Sequence, residues 1–269
     1  MPELRVNGVR LFYEDRGRGD QTVVFSHGLL WSTVLFEPQI AALEDRYRVV
    51  AWDHRGQGRS ESPDERAHQI ESCYHDGLAL IEALGLGPVH FVGLSMGGFV
   101  GMRLAARHPE LVRSLSLLAT AADPEPAANV PKYGRLNLVA RAFGVGSVAS
   151  KVLPIMFGES FLTDPARADD RELWTGRLKG NDRTIYRAVR GVVERCGVMD
   201  ELQNIRCPTL MLHGDEDNAI ARPRARATAE RIPGCEFIAV PAGGHSMTVE
   251  NPQGVNGPLE AFIDRIADT

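Results

Sequence analysis

The chain has 269 residues with a net charge of −5, and 43% of them are hydrophobic and 24% charged, as in ordinary globular domains. Its length suits one elaborated α/β domain with room for an insertion, and no apolar run reaches the roughly 18 residues that cross a bilayer. Without a basic, aromatic-rich cluster or a signal-peptide pattern, the sequence favours a cytoplasmic protein with no nucleic-acid or membrane partner.

The first predicted elements are an antiparallel hairpin and a series of buried strands. Alternation in LRVNGVRLFYED places the hairpin turn at Asn7-Gly8. Apolar runs ending in glycine, small or acidic residues then predict parallel strands in QTVVFSHG, YRVVAWDHRG, PVHFVGLS, LVRSLSLLAT and CPTLMLHGDED. Helix-length segments separate them, notably Glu65 to Leu84 and Met96 to Arg107. This order predicts a doubly wound, mostly parallel α/β sheet, which binds ligands at the carboxyl ends of its strands.

The alternation of strands and helices stops after Ala122. Residues 123–200 show no convincing buried strand but several helix-compatible stretches, including VPKYGRLNLVARAF, VGSVASKVLPIMF and DRTIYRAVRGVVERC. Alternation resumes at Cys207 and closes with the strand EFIAV and the helix PLEAFIDRIA. We therefore predict a core domain of residues 1–122 and 201–269, with residues 123–200 as a helical insertion over the strand ends.

A serine in a glycine-rich turn is the first candidate catalytic residue. Gly93-Leu94-Ser95-Met96-Gly97 matches the G-x-S-x-G nucleophile elbow, with an apolar strand before it and a helix after it. The small residues permit a turn sharp enough to expose the hydroxyl, and the helix directs the positive end of its dipole at the site. The alternative is that Ser95 only caps a helix.

A serine nucleophile needs a base and an acid that orients the base, expected in the order Ser, Asp or Glu, His. Of the two histidines after the insertion, His213 lies in a predicted strand, whereas His245 follows Gly243-Gly244 in a loop that can reach the serine. His245 is the predicted base. The spacing alone leaves four candidates for the acid: Asp123, Asp215, Glu216 and Asp217.

The remaining requirements are an oxyanion hole and a pocket. The backbone N–H of Met96, after the nucleophile, is one predicted donor, and that of Leu29, after Ser26-His27-Gly28, is the other. His27 is an alternative base, although its place beside Gly28 suits a role in loop structure. The predicted pocket comprises His27, Trp31, Phe143, Phe157 and Trp174, of which the aromatic residues of the insertion could instead form its own core.

No cofactor or metal is predicted. His68 and His75 could share a helix face with Glu71, but their spacing suggests no third ligand. The expected partner is a small molecule, and the sequence carries no signal for an oligomeric state.

Five motifs in order resemble the α/β-hydrolase fold family: Ser26-His27-Gly28, Asp53 to Ser60, Gly93 to Gly98, His213-Gly214-Asp215-Glu216-Asp217 and Gly243-Gly244-His245. The resemblance covers nearly the whole chain outside the insertion. It implies that Asp217, which closes the H-G-x-x-D segment, is the acid, that the residue after H-G supplies an oxyanion N–H, and that the insertion is a cap. The Asp53 motif is expected to shape a loop and not to act in catalysis.

Within that family the chain looks most like the carboxylesterase and 3-oxoadipate enol-lactonase branch. This likeness implies hydrolysis of small to medium esters or lactones through an acyl-enzyme. Ser95 argues by analogy against relatives with an aspartate nucleophile. Leu94 and the sequence HGLLWS depart from the pattern of C–C bond hydrolases. That activity, perhydrolase or cofactor-free haloperoxidase activity, and non-catalytic ligand binding remain the alternatives.

Overall fold

The computed structural model describes residues 2–267, whose strands form one eight-stranded sheet in the order β1-β2-β4-β3-β5-β6-β7-β8. The strands are β1 (Glu3–Val6), β2 (Val9–Arg16), β3 (Thr22–Ser26), β4 (Arg48–Trp52), β5 (Val89–Leu94), β6 (Val112–Leu118), β7 (Thr209–Gly214) and β8 (Glu236–Val240). Strands β3 to β8 pair in parallel, whereas β1 pairs with β2, and β2 with β4, in the antiparallel sense. The predicted α/β class and the mostly parallel sheet are confirmed.

The N-terminal hairpin turns where the sequence predicts it. Asn7 and Gly8 both have positive φ, 47° and 75°, and Val6 pairs with Val9 across the turn. A two-residue hairpin loop of this kind needs positive φ at both central positions, and Asn-Gly accepts it at little cost. The local sequence therefore determines the register of the first two strands.

The sheet separates two hydrophobic layers, because successive side chains of a strand point to opposite faces. In β3, Val23 and Phe25 pack in one layer and Val24 in the other. The first layer includes α1 (Glu37–Leu43) and α11 (Pro252–Ala267). The second includes α2 (Ile70–Ala83), α3 (Met96–Arg107) and α9 (Arg222–Arg231). Burial on both faces explains why these strands read as continuous apolar runs.

The helix predictions hold best in the parallel core. Helix α3 has the predicted bounds, while α2 begins at Ile70 and not at Glu65, and α11 begins at Pro252, six residues before the predicted PLEAFIDRIA. Pro252 occupies the first turn of α11. Backbone N–H groups in this turn have no acceptor within the helix, so the N–H that proline lacks costs no hydrogen bond. The short α10 (Met247–Glu250) lies between β8 and α11.

The segment between β6 and β7 contains helices and no strand within the described residues. They are α4 (Val130–Phe143), α5 (Ala149–Met156), α6 (Glu159–Thr163), α7 (Ala168–Lys179) and α8 (Tyr186–Val193). We call residues 123–200 the inserted segment. The predicted core boundaries at residues 1 and 269 lie outside the described residues. Among residues 2–267, no helix combines the length and apolar character that a membrane span requires.

Candidate active site

Ser95 occupies a strained turn between β5 and α3. Its φ of 52° and ψ of −110° lie in a region that non-glycine residues rarely adopt. The turn is held by hydrogen bonds from the Ser95 N–H to the Leu118 carbonyl, 2.8 Å, and from Thr120 Oγ1 to the Ser95 carbonyl, 2.8 Å. These contacts with the end of β6 and the residues just after it stabilise a backbone conformation that an isolated peptide would avoid.

The glycines around Ser95 are required by close packing. A Cβ atom on Gly97 would overlap the carbonyl oxygen of Ser26 at the end of β3, and one on Gly93 would overlap the backbone of Gly97. The first turn of α3 therefore packs directly against the β3 backbone. This contact fixes Ser95 relative to the loop that begins at His27.

Ser95, His245 and Asp217 form a continuous hydrogen-bonded chain. The distance from Ser95 Oγ to His245 Nε2 is 2.9 Å, and His245 Nδ1 lies 3.1 and 3.0 Å from Asp217 Oδ1 and Oδ2. Asp217 Oδ1 also accepts the backbone N–H groups of Ala219 and Ile220, at 2.8 and 3.0 Å. The structure thus brings together three predicted residues from the loops after β5, β7 and β8.

Burial and the charge of Asp217 shift the pKa of His245 in opposite directions. Removal from water lowers the pKa of its imidazole, but the charge and hydrogen bond of Asp217 outweigh that effect, and the pKa lies above its ordinary value. The side chain of Asp217 is fully buried, and only 7% of Ser95 and 4% of His245 are exposed. The imidazole therefore holds a proton more firmly than it would in water.

Two backbone N–H groups beside Ser95 are available as donors. Leu29 and Met96 have no hydrogen-bond partner for their amides among residues 2–267, whereas the next amide, that of Leu30, donates to Gln57 Oε1 at 2.8 Å. Leu29 also lines the cavity that Ser95 and His245 share. The two predicted oxyanion donors are thus unoccupied by protein acceptors.

The cavity at Ser95 has a volume of about 130 Å³, close to the ~150 Å³ of an apolar cavity that holds one benzene ring. Most of its lining residues belong to the inserted segment, and they include the aliphatic side chains of Leu136, Val148, Val152, Ile155, Met156 and Val189. Phe99 of α3 and Ile220 complete the apolar wall near the serine. The space suits a small, largely apolar group.

None of the five predicted pocket residues lines this cavity. Phe143 ends α4 with 74% of its surface exposed, so it faces solvent. Trp31, Phe157 and Trp174 pack edge to face with ring centroids 5.7 and 5.3 Å apart, forming the core between the inserted segment and the β3 loop. Aliphatic helix positions, which resemble any amphipathic core in sequence, form the wall in their place.

His27 is also outside the cavity wall. Its ring is completely buried, with Nδ1 2.7 Å from the Gly28 carbonyl, and Nε2 accepts the His54 N–H at 3.0 Å. Burial lowers the pKa of His27 despite the nearby charge of Asp53. These bonds occupy both ring nitrogens and tie the β3 loop to the β4 loop.

The other candidate acids have different partners. Asp123 pairs with Arg224 at 2.8 Å, and Glu216 accepts the Ser160 N–H at 2.8 Å, whereas Asp215 is exposed. Only Asp217 contacts His245 among these four.

Glu250 is a site residue that the sequence reasoning missed. Its Oε2 accepts the N–H of Gly158 in the inserted segment, 2.8 Å, and that of Gly244 beside His245, 3.1 Å. Burial raises the pKa of Glu250 to about 7 in spite of these bonds and the neighbouring imidazole. Its position five residues after His245 and two before Pro252 was the available signal.

No group of three or more His, Cys, Asp or Glu side chains in the described part of the chain is arranged to hold a metal ion. The site therefore consists of a buried hydroxyl, imidazole and carboxylate beside free backbone donors. A serine in a strained turn after β5, an acid after β7 and a histidine after β8 of a mostly parallel sheet define the α/β-hydrolase class.

Comparison with known proteins gives the same class. A family model described as alpha/beta hydrolase fold matches residues 21–252, and the chain belongs to this family. A Caulobacter protein named "Putative carbamate hydrolase RutD" is 30% identical over 90% of each chain. The chain is a hydrolase of the family.

Two solved structures resemble the chain over almost its full length. The enol-lactonase of Burkholderia xenovorans has a TM-score of 0.90 and 26% identity, covering 98% of this chain and 100% of its own. A thermophilic esterase of Thermogutta terrifontis, with malate bound, has the same TM-score and identity and covers 99% of both chains.

Proposed function

We propose that the protein is a cofactor-free serine hydrolase that cleaves small to medium, largely apolar carboxylic esters or lactones. The observation that carries this proposal is the continuous chain from Ser95 Oγ through His245 to Asp217, with distances of 2.9 and 3.0 Å. The apolar wall and modest volume of the adjoining cavity support the substrate class. In this proposal residues 123–200 act as a cap over the site.

The reaction follows from the positions of the donors and acceptors. Ser95 Oγ attacks the substrate carbonyl while His245 Nε2 takes its proton, and Asp217 stabilises the imidazolium without accepting that proton. The Leu29 and Met96 amides hold the oxyanion, and the alcohol leaves with the proton from His245. Water, deprotonated by the same imidazole, then attacks the acyl-enzyme and releases the acid and Ser95.

The direct test is Ser95→Ala, assayed with p-nitrophenyl acetate and butyrate. We expect kcat to fall by about 10⁶-fold, as when an activated serine is removed from a comparable triad, with an unchanged circular dichroism spectrum. Ser150→Ala, an exposed serine of α5, is the matched control. Retention of full activity by Ser95→Ala would disprove the assignment.

A fluorophosphonate probe distinguishes catalysis from ligand binding alone. The probe should label Ser95 in the wild-type protein and fail to label a His245→Ala variant, because the reaction needs the base. A protein that only binds ligands would not react. Product analysis with added methanol or hydrogen peroxide separates hydrolysis from transacylation and perhydrolysis.

The names of the related proteins suggest which substrates to compare. Since relatives carry the names carbamate hydrolase, enol-lactonase and esterase, the assay should include one carbamate, one lactone and one ester of equal acyl size. The apolar cavity leads us to expect the ester or lactone to have the higher kcat/KM.

A further inference from the structure

The wall of the Ser95 cavity contains one buried ion pair among its aliphatic residues. Arg195, just after α8, and Glu125, before α4, both line the cavity. Arg195 Nη1 lies 3.0 Å from Glu125 Oε2, and their side chains are only 2% and 6% exposed. The guanidinium lies over the ring of Phe99 at 4.4 Å, and Phe99 is one helical turn beyond Ser95.

The ion pair uses only one nitrogen of the guanidinium. Arg195 Nη1 donates to Glu125 and to the Val192 carbonyl, 2.8 Å, while Nε and Nη2 are buried without a partner among the described residues. Nε and Nη2 form one edge of the planar group, the edge that donates two parallel N–H bonds to an oxygen acceptor. This edge is thus an unsatisfied pair of donors on a residue that lines the cavity.

Stability alone does not account for this arrangement. Exchanging a buried ion pair for well-packed apolar residues is often neutral or stabilising, and each unsatisfied buried donor is costly. Burial lowers the pKa of Arg195 even though Glu125 opposes the shift, so the carboxylate does not fully replace the lost water. An acceptor from outside the chain would complete the hydrogen bonding of the guanidinium.

We propose that Arg195 is a specificity-determining residue that binds a carbonyl or carboxylate oxygen carried on the acyl chain of the substrate. This inference rests on the proposed function, since it places the scissile carbonyl at Ser95. Glu125 balances the charge of Arg195, so an uncharged carbonyl is the favoured acceptor. Asn137, another polar residue of the wall, has its Oδ1 buried and unpartnered within residues 2–267.

The substrates for the test differ in one group. Ethyl 4-oxopentanoate carries a ketone, ethyl 4-methylpentanoate replaces its oxygen with a methyl group, and monoethyl succinate carries a carboxylate at the same position. Longer series with the group at C5 and C6 vary the distance from the scissile carbonyl. We expect the best ketone ester to exceed its methyl analogue in kcat/KM by about tenfold or more, because hydrogen bonds to charged groups are strong.

The variants remove the free edge without leaving Glu125 unpaired. Arg195→Lys keeps a cation opposite Glu125 but lacks the fork, and the double variant Glu125→Gln/Arg195→Met removes both buried charges. Arg224→Lys alters the neighbouring ion pair with Asp123, outside the cavity wall, and is the matched control. The oxygen preference should vanish in the double variant, fall in Arg195→Lys and persist in Arg224→Lys.

The outcomes separate this inference from the proposed function. A preference confined to monoethyl succinate and lost in the double variant would support Arg195 with an anionic acceptor. Equal kcat/KM for all three esters, or a preference that survives the double variant, would overturn the inference while Ser95-dependent hydrolysis stands. Absence of hydrolysis of every ester would refute the proposed function instead.

Binding without turnover gives a second readout. In a Ser95→Ala background, ethyl 4-oxopentanoate should raise Tm more than ethyl 4-methylpentanoate does, and the difference should disappear when the double variant is added. Equal shifts for the two esters would contradict the assignment.

Discussion

The strand-end loops and the inserted segment contribute to the site in different ways. The loops after β3, β5, β7 and β8 hold polar groups at fixed distances through backbone contacts, such as Gly97 against Ser26. The inserted segment supplies an aliphatic wall and exposes large apolar side chains, including Leu138 at 67% and Phe143 at 74%. In the proposed function, catalysis therefore depends on the backbone geometry of the loops, and substrate choice on the packing of the helices in the inserted segment.

Apart from loss of the nucleophile itself, the largest expected effect concerns the loop after β7. Asp217→Asn should lower kcat by about 10⁴-fold, since the amide favours the wrong imidazole tautomer. The raised pKa of His245 places the acid limb of wild-type kcat/KM above the ordinary ~6.5, because the neutral imidazole is the base. Without the carboxylate the limb should move to lower pH. A limb that stays in place would show that Asp217 does not control the base.

A second change tests the backbone contact. Gly97→Ala forces a methyl group into the Ser26 carbonyl, so α3 must move, and a displacement near 1 Å can lower kcat by about 10²-fold. Gly176→Ala, in α7 with open space where the added Cβ would lie, should leave kcat unchanged and serves as control. Equal activity of the two variants would mean that the contact is not needed to place Ser95.

The inserted segment is expected to affect selectivity and not chemistry. Val152 lines the cavity, so Val152→Phe should fill part of it. We expect the substitution to lower kcat/KM for p-nitrophenyl hexanoate by about tenfold or more relative to that for p-nitrophenyl acetate. Leu173→Phe, at a position 49% exposed, is the control. A uniform loss on both esters would break the distinction between the two regions.

Glu250 contacts both the inserted segment and the loop that carries His245. Its substitution should therefore change the pH dependence of activity and have a smaller effect on kcat. Glu250→Gln retains an acceptor for Gly158 and Gly244 but removes a charge that raises the pKa of His245. The acid limb should therefore move to lower pH by a fraction of a unit, with kcat at high pH kept within a few-fold. Glu82→Gln, an exposed position of α2, should not move the limb.

Stability gives an independent check on the same substitution. The pKa of Glu250 is raised by folding, from an ordinary 4.5 to about 7, so its contribution is full below pH ~4.5 and is lost as pH rises through 7. Glu250→Gln should accordingly raise Tm more at pH 8 than at pH 5. The opposite order would show that the carboxylate is stabilised by its surroundings.

The smallest effect is expected at a position that the sequence suggested as pocket. Phe143→Ser should leave kcat/KM for every ester unchanged and alter the free energy of unfolding by no more than about 0.5 kcal/mol, because the ring is exposed. A substrate-dependent loss would restore Phe143 to the pocket.

Sequence reasoning succeeded where backbone conformation dictates residue type. Asn7-Gly8 and the G-x-S-x-G turn have few alternatives, so the hairpin, the sheet and the position of Ser95 could be predicted. The residues of the cavity wall could not be predicted. Val152 and Phe143 both lie in helical stretches of similar pattern, and only the packing of α4 and α5 determines that Val152 is buried and Phe143 exposed. Arg195 and Glu125 lie 70 residues apart, and no local pattern links them.

The carboxyl group of Glu250 has a consequence for amide exchange. Glu250 Oε2 accepts the N–H of Gly158 in the inserted segment and that of Gly244 beside His245. Movement of the inserted segment away from the core would break at least one of these two hydrogen bonds, because the carboxyl group could stay with only one partner. Protection of these two amides is therefore linked. Deuterium uptake at Gly158 and Gly244 reports, without any substrate, how often the helices separate from the loop that carries His245.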